Sequence, residues 1–397
     1  MRRIVVAAVC IVLGAGCGGE APAPTAETAL AARAPKVVAH APVCPGPSRE
    51  SDARCHARVV TDGKGTPTVA AKPSGLAPAD IQAAYALPPD AGAGQILAIV
   101  DAYDHPNAEN DLAVYRAQFG LPPCTTANGC FRKVNQAGVP GSYPRANQGW
   151  ALEISLDLAM ASASCPACSI LLVEASSSSL VNLGAAVNTA VALGATVVSN
   201  SYGAGEYAGE LAAESAYFDH PGVAITASSG DAGYGVEFPA ASRFVTAVGG
   251  TTLLRDASAR GFTELAWSGA GSGCSGYVAK PAWQTDASCV GRTVADVSAV
   301  ADPNTGVAVY DSYGYKGQRG WFVLGGTSAS APIIAGVYAA AGNGSGLVYG
   351  SAPYANPGAL NDVVGGSNGA CGMYLCTAVP GYDGPTGLGT PSGIAAF

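Results

Sequence analysis

Gln95-Ile96-Leu97-Ala98-Ile99-Val100 is a run of six residues, mostly apolar, that ends at Asp101. Its length suits a strand. It lacks the apolar/polar alternation of a strand with one wet face, so it reads as buried on both sides. Asn107 to Phe119 follows with helical spacing, Ala108, Leu112, Tyr115 and Phe119 falling on one stripe. The same succession recurs along the chain. Ser169–Glu174, Ala195–Ser199, Val223–Ala227 and Phe244–Val248 read as strands, while Leu180–Leu193 and Leu211–Phe218 read as helices. Short buried strands alternating with helices imply an α/β fold, a doubly wound, mostly parallel sheet with helices on both faces. Sites in such sheets lie at the carboxyl ends of the strands. Asp101, Ser199-Asn200-Ser201 and Ser228-Ser229-Gly230-Asp231 all fall there.

Composition supports a folded body. Of 397 residues, 49% are hydrophobic and 12% charged, which supplies a sizeable core and little for a disordered polyelectrolyte. The net charge is −8 and no basic run exceeds Arg2-Arg3, so no nucleic-acid partner is expected. Met1-Arg2-Arg3, the apolar stretch Ile4 to Leu13 and the small residues around Cys17 have the layout of a secretory signal over residues 1–17. Cys17 would be the lipidated first residue of a bacterial lipoprotein, a membrane tether; a plain cleaved signal is the alternative. Either way the mature chain is expected outside the cytoplasm. Residues 18–75, rich in Ala, Pro and Thr, read as a leader or tether, and residues 76–397 as one large domain. A monomer is the working expectation.

Twelve cysteines agree with export. Apart from Cys10 and Cys17 they fall into close couples, Cys44/Cys55, Cys124/Cys130, Cys165/Cys168, Cys274/Cys289 and Cys371/Cys376, and closure of these short loops is the simplest expectation. Cys165-Pro166-Ala167-Cys168 lacks the setting of a redox or metal motif.

Gly325-Gly326-Thr327-Ser328-Ala329-Ser330-Ala331-Pro332 precedes an apolar helix. Ser328 would sit at a helix N-terminus, where backbone N–H groups favour developing negative charge. A nucleophilic serine needs a base. None of the four histidines has the context of a catalytic one: His40 and His56 fall in the leader, and His105 and His220 each precede a proline and read as solvated loop residues. The alternative is acidic. Glu153 and Asp157 stand four apart in a helix opened by Gln148-Gly149-Trp150, with mostly apolar neighbours, so both carboxylates project from one buried face. Close carboxyls can share a proton, which raises one of their pKa values and suits a base in mildly acidic water. Asp231, if protonated, can donate to an oxyanion.

Gly326-Thr327-Ser328 with Pro332 resembles the serine motif of the subtilisin clan. Trp150–Asp157, Ser228–Asp231, Ala247–Thr251, Asp296–Ala299, Gly325–Pro332 and Tyr382–Pro391 together resemble the sedolisin family of serine-carboxyl peptidases, over residues 76–397 and with a subtilisin-like fold. The resemblance implies Ser328 as nucleophile, Glu153 as general base, Asp157 as its supporting carboxylate and Asp231 as oxyanion donor, with Asp101 extending the acidic network. It implies a secreted endopeptidase acting on protein or peptide substrates at acidic pH. It also implies one structural Ca²⁺, held by Asp362 and Asp383 and by the carbonyls of Val363, Val379 and Gly381. A noncatalytic surface-binding protein on the same scaffold is the alternative.

Overall fold

Hairpin-length strands come first: β1 (His40–Pro42), β2 (Arg54–Cys55), β3 (Arg58–Val60) and β4 (Val69–Ala70). The computed structural model describes residues 1, 37–44, 46 and 51–397. The expected signal beyond its first residue, the lipid site Cys17 and the leader as far as residue 36 therefore lie outside the described residues. From Val37 onward the described residues belong to one compact unit.

After α1 (Pro78–Tyr85) the alternation begins: β5 (Ile96–Ala102), α2 (Ala108–Gln118), β6 (Phe131–Asn135), α3 (Gln148–Ser164), β7 (Ser169–Ala175), α4 (Leu180–Ala192), β8 (Val197–Asn200). Then come β9 (Tyr202–Gly205), α5 (Glu210–Tyr217), β10 (Ala224–Ser228), β11 (Glu237–Phe238), β12 (Thr246–Arg255), β13 (Phe262–Ala266), β14 (Gly273–Ala279), β15 (Gly291–Val294) and β16 (Val297–Val300). The long hairpin β17 (Val307–Tyr315) and β18 (Gln318–Gly325) leads into α6 (Thr327–Ala341).

The central sheet runs β13-β12-β10-β8-β5-β7-β6, with β16 also on β12. Every pairing in it is parallel except β12 with β13. Its middle strands are apolar throughout because both faces are covered; β8 and β10 are buried along their whole length. No helix among the described residues is long and apolar enough to cross a membrane.

The boundary expected at residue 75 moves. Strands β1, β3 and β4 join the antiparallel sheet of β17 and β18, and β2 joins β9. Val43, Cys44, Ala53, Cys55, His56, Ala57 and Val59 are buried. The described part of the supposed tether is thus folded into the body, because its few apolar residues are buried by strands distant in the sequence. All five expected disulfides form: Cys44–Cys55, Cys124–Cys130, Cys165–Cys168, Cys274–Cys289 and Cys371–Cys376.

Two helices carry the site. Asn147 caps α3, its side chain accepting from Gly149 N and Trp150 N, and residues 149–164 are buried without interruption. Helix α6 is buried from Thr327 to Ala340. The two pack together where Gly336 faces Ser164; a Cβ on Gly336 would lie 1.9 Å from Ser164 Oγ. At the start of β16, a fully buried pair, Arg292 and Asp296, joins guanidinium to carboxylate at 2.8 Å, and Asp296 Oδ2 also accepts Ala247 N at 2.7 Å.

Candidate active site

Ser328 is the second residue of α6 and is fully buried. Pro332, four residues on, has no N–H, so the Ser328 carbonyl lacks its helical donor. Ser201 fills the gap: its hydroxyl donates to Ser328 O at 3.4 Å, and Ser328 Oγ donates in return to Ser201 O at 3.2 Å. Ser201 follows directly on β8, at the carboxyl end of the central sheet.

The helix acids lie in the same space. Glu153 and Asp157 are fully buried on α3, and Asp101 is fully buried near the end of β5. Glu153 Oε2 accepts Ala57 N at 3.1 Å, whereas its Oε1 and both oxygens of Asp157 and Asp101 have no hydrogen-bond partner. Burial raises the Glu153 pKa well above the carboxylate range, and the charge of Asp157 raises it further. The nearby Ser328 hydroxyl opposes that rise, although in this conformation it donates to Ser201 O. Burial likewise raises Asp157, against the nearby Ser201 hydroxyl. Asp101 is raised by burial and then by the charges of Asp157, Glu153 and Glu174. Carboxyls that raise one another in an apolar setting do not all ionise together.

Asp231 approaches from the far side. Its Oδ1 accepts Thr327 N at 2.8 Å and Thr327 Oγ1 at 2.9 Å, while its buried Oδ2 has no partner. Burial pushes its carboxyl up to about 6, with the nearby His56 and the Thr327 N–H pulling the other way. Oδ2 hangs over Gly326, where a Cβ would meet it at 2.7 Å. That glycine has φ 99°, a left-handed conformation that leaves the approach open.

The histidines are elsewhere occupied. His56 is buried, not part of a solvated leader: Nδ1 meets Ser228 Oγ at 2.7 Å and Nε2 meets Glu237 Oε2 at 2.8 Å. Glu237 is held down to about 2: burial opposes this, and His56 and Arg54 outweigh it. His105 is also fully buried, contrary to the loop reading, with Nε2 at 2.9 Å from Ser155 Oγ and 3.3 Å from Asp111 Oδ2. His220 is half-buried against Asn188.

No family model matches the chain. Kumamolisin from Bacillus sp. (strain MN-32) is 32% identical over 370 residues, covering 82% of this chain and 63% of kumamolisin. Sedolisin from Pseudomonas sp. (strain 101) is 34% identical over 176 residues, 40% of this chain and 29% of that protein. The chain thus spans roughly three-fifths of kumamolisin's length and less of sedolisin's. Among solved structures, Pseudomonas sedolisin, a serine-carboxyl proteinase complexed with two molecules of pseudo-iodotyrostatin, superposes with a TM-score of 0.65 at 26% identity. The match covers 81% of this chain and 96% of that one. The chain belongs to the sedolisin family. Its fold is the subtilisin-like α/β arrangement; Sphericase shares it at 18% identity with a TM-score of 0.52.

In this sedolisin-family chain the residues singled out from sequence fall into two places. Ser328, Glu153, Asp157, Asp101 and Asp231 converge as above. Asp362, Val363, Val379, Gly381 and Asp383 gather near the C-terminus instead. There Asp362 Oδ2 accepts Gly381 N at 3.0 Å and Asp383 Oδ2 accepts Val379 N at 3.3 Å. Burial pushes Asp383 up to about 7 against hydrogen bonds from Thr386 and Val379, and the Asp362 charge adds to the rise. Among the described residues no backbone hydrogen bond ends on the carbonyl of Val363, Val379 or Gly381. Two carboxylates and three uncommitted carbonyls make a donor set that fits a hard cation. Sequence reasoning gave Ser201 no role, set His56 aside in the leader and missed Glu237. Only Ser201 carried a signal, its place at a strand's carboxyl end.

Proposed function

We propose that this protein is an exported serine-carboxyl endopeptidase that hydrolyses peptide bonds in acidic surroundings. The observation that carries the reading is the unpartnered Glu153 Oε1, raised by burial and by Asp157, in the same pocket as the Ser328 hydroxyl. Glu153 takes the Ser328 proton while Asp157, with Asp101 behind it, shares the resulting charge and proton load. Ser328 Oγ attacks the peptide carbonyl. Asp231, protonated below about pH 6, donates from Oδ2 to the oxyanion. Glu153 passes its proton to the leaving nitrogen, the C–N bond breaks, and water then hydrolyses the ester by the reverse path. The five disulfides support an oxidising compartment outside the cytoplasm.

One Ca²⁺ held by Asp362, Asp383 and the carbonyls of Val363, Val379 and Gly381 would neutralise the buried Asp383 and brace the terminal loops. Chelation should then lower the unfolding temperature, and Asp383→Asn should remove that response.

The catalytic reading is tested by cleavage of casein or a quenched fluorescent peptide at pH 4. Ser328→Ala should abolish it and Glu153→Gln should reduce it by several orders of magnitude. Undiminished cleavage by either variant overturns the assignment.

A further inference from the structure

A second buried cluster, His105, Asp111 and Asp311, has no part in the peptidase chemistry. His105 lies in the loop after β5, Asp111 on α2 and Asp311 on β17, and none is more than 2% exposed. His105 Nε2 stands 3.3 Å from Asp111 Oδ2 and 3.5 Å from Asp311 Oδ1, and the three atoms lie within 4.8 Å of one another. Ser155 Oγ, on α3, is a fourth donor atom, 2.9 Å from the same nitrogen.

Hydrogen bonding does not account for this grouping. Asn107 N–H donates to His105 Nδ1 at 3.3 Å, which leaves the ring its one proton on Nε2. Of the three oxygens facing that N–H, only the Ser155 hydroxyl is at a good hydrogen-bond distance. Asp311 Oδ1 is buried with no hydrogen-bond partner. Among the described residues no lysine or arginine pairs with Asp111 or Asp311; Lys133, which reaches the His105 carbonyl, is committed to Asp104 and Glu174. Two buried carboxyls thus face one imidazole that cannot serve both.

The spacing suits a metal ion. Ligands held tetrahedrally at about 2.0–2.1 Å from zinc stand roughly 3.3–3.5 Å from one another. Nε2 keeps that separation from both carboxyl oxygens. The donors are also braced from behind. Asp111 Oδ2 accepts Ser312 N and Asp311 Oδ2 accepts Gly314 N, at 2.8 Å each. The His105 backbone donates to Glu174 Oε1 and accepts from Lys133 Nζ, again at 2.8 Å each. Outer bonds of this kind hold metal ligands in place.

We propose that His105 Nε2, Asp111 Oδ2 and Asp311 Oδ1 form a Zn²⁺ site, with Ser155 Oγ within reach of the fourth position. The ion takes the Nε2 lone pair, and the ring proton moves to Nδ1, which gives up its long contact with Asn107. One nitrogen among few oxygens favours zinc over calcium, which takes about six to eight oxygens. The ion ties α2 and α3 to β17, the first strand of the hairpin that leads into the serine helix α6. It thereby braces the frame that carries Glu153 and Ser328.

The test uses the full chain carrying Ser328→Ala, which prevents self-digestion, so no reading depends on peptidase activity. The protein is stripped with a chelator, returned to Ca²⁺ and titrated with Zn²⁺ at pH 7. One equivalent of zinc should survive gel filtration and raise the unfolding temperature. Asp311→Asn, which keeps an oxygen for Gly314 N, should weaken zinc binding at least about 100-fold, beyond the effect of losing an outer-shell partner. Asp383→Asn, in the C-terminal donor set, should bind zinc as its parent does. Co²⁺ in place of Zn²⁺ should give the intense visible absorption of a tetrahedral site, a reading that needs no change at the cluster. Failure to retain zinc overturns the proposal. So does undiminished binding by Asp311→Asn with a native circular dichroism spectrum, or loss of binding in Asp383→Asn. A pale, octahedral Co²⁺ spectrum overturns the tetrahedral site.

Discussion

Replacing Asp231 by Asn should stabilise the protein at neutral pH and leave it unchanged in acid. Asp231 has a folded pKa of about 6 against an ordinary value of 3.8. The fold thus favours the protonated acid. Its contribution is complete below about pH 3.8 and is given up as pH climbs through about 6. The gap of about two units corresponds to on the order of 3 kcal/mol, an upper figure because the residue is partly exposed to screening water. Asparagine keeps an oxygen for Thr327 N and Oγ1 and places an N–H where the unpartnered Oδ2 now lies beside Gly326. The measurement is urea unfolding of Ser328→Ala and Ser328→Ala/Asp231→Asn, at pH 3.5 and pH 7, the first change preventing self-cleavage. The double variant should exceed its parent by up to about 3 kcal/mol at pH 7 and match it at pH 3.5. An equal advantage at both values would show that the gain is not the removal of an ionised carboxylate, and the oxyanion role argued from its protonation would fall with it.

Turnover should respond to the same proton. The peptidase kcat/KM should fall about tenfold per pH unit above roughly 6 as Asp231 ionises, and a profile flat to pH 8 would contradict its role as donor. Asp157→Asn removes a neighbouring charge that raises Glu153, so the acid limb of the pH–rate profile should move to lower pH; an unmoved limb would separate the two acids. Away from the site, Arg292→Met strands the buried Asp296 carboxylate, and should cost about 3–5 kcal/mol in urea unfolding. A loss under 1 kcal/mol would mean that Asp296 is carried by its other hydrogen bonds.

Much of the central sheet was legible because its strands are continuous apolar runs that the structure reproduces within a residue or two, as at β5 and β7. The paired acids were legible because charge inside the apolar helix α3 has no bland explanation. The folded N-terminal segment was not. Its strands are two or three residues long, shorter than any periodicity can register, and they are held by distant partners such as β9 and β18. His56 was lost with it. His105 looked solvated because the acid that faces it from β17, Asp311 at 3.5 Å, lies some two hundred residues away in the chain.

The alcohol and the acids ride on different helices, so the gap a proton must cross is set by how closely one rod lies against the other. At Gly336, eight residues and roughly 12 Å along the axis from Ser328, that spacing has no slack. A single methyl group there, as in Gly336→Ala, would act as a shim. Peptide would still be gripped by the rim of the cleft, and the loss should appear in kcat with KM nearly unmoved. Reactivity in this protein is thus gauged by a glycine that never meets the substrate.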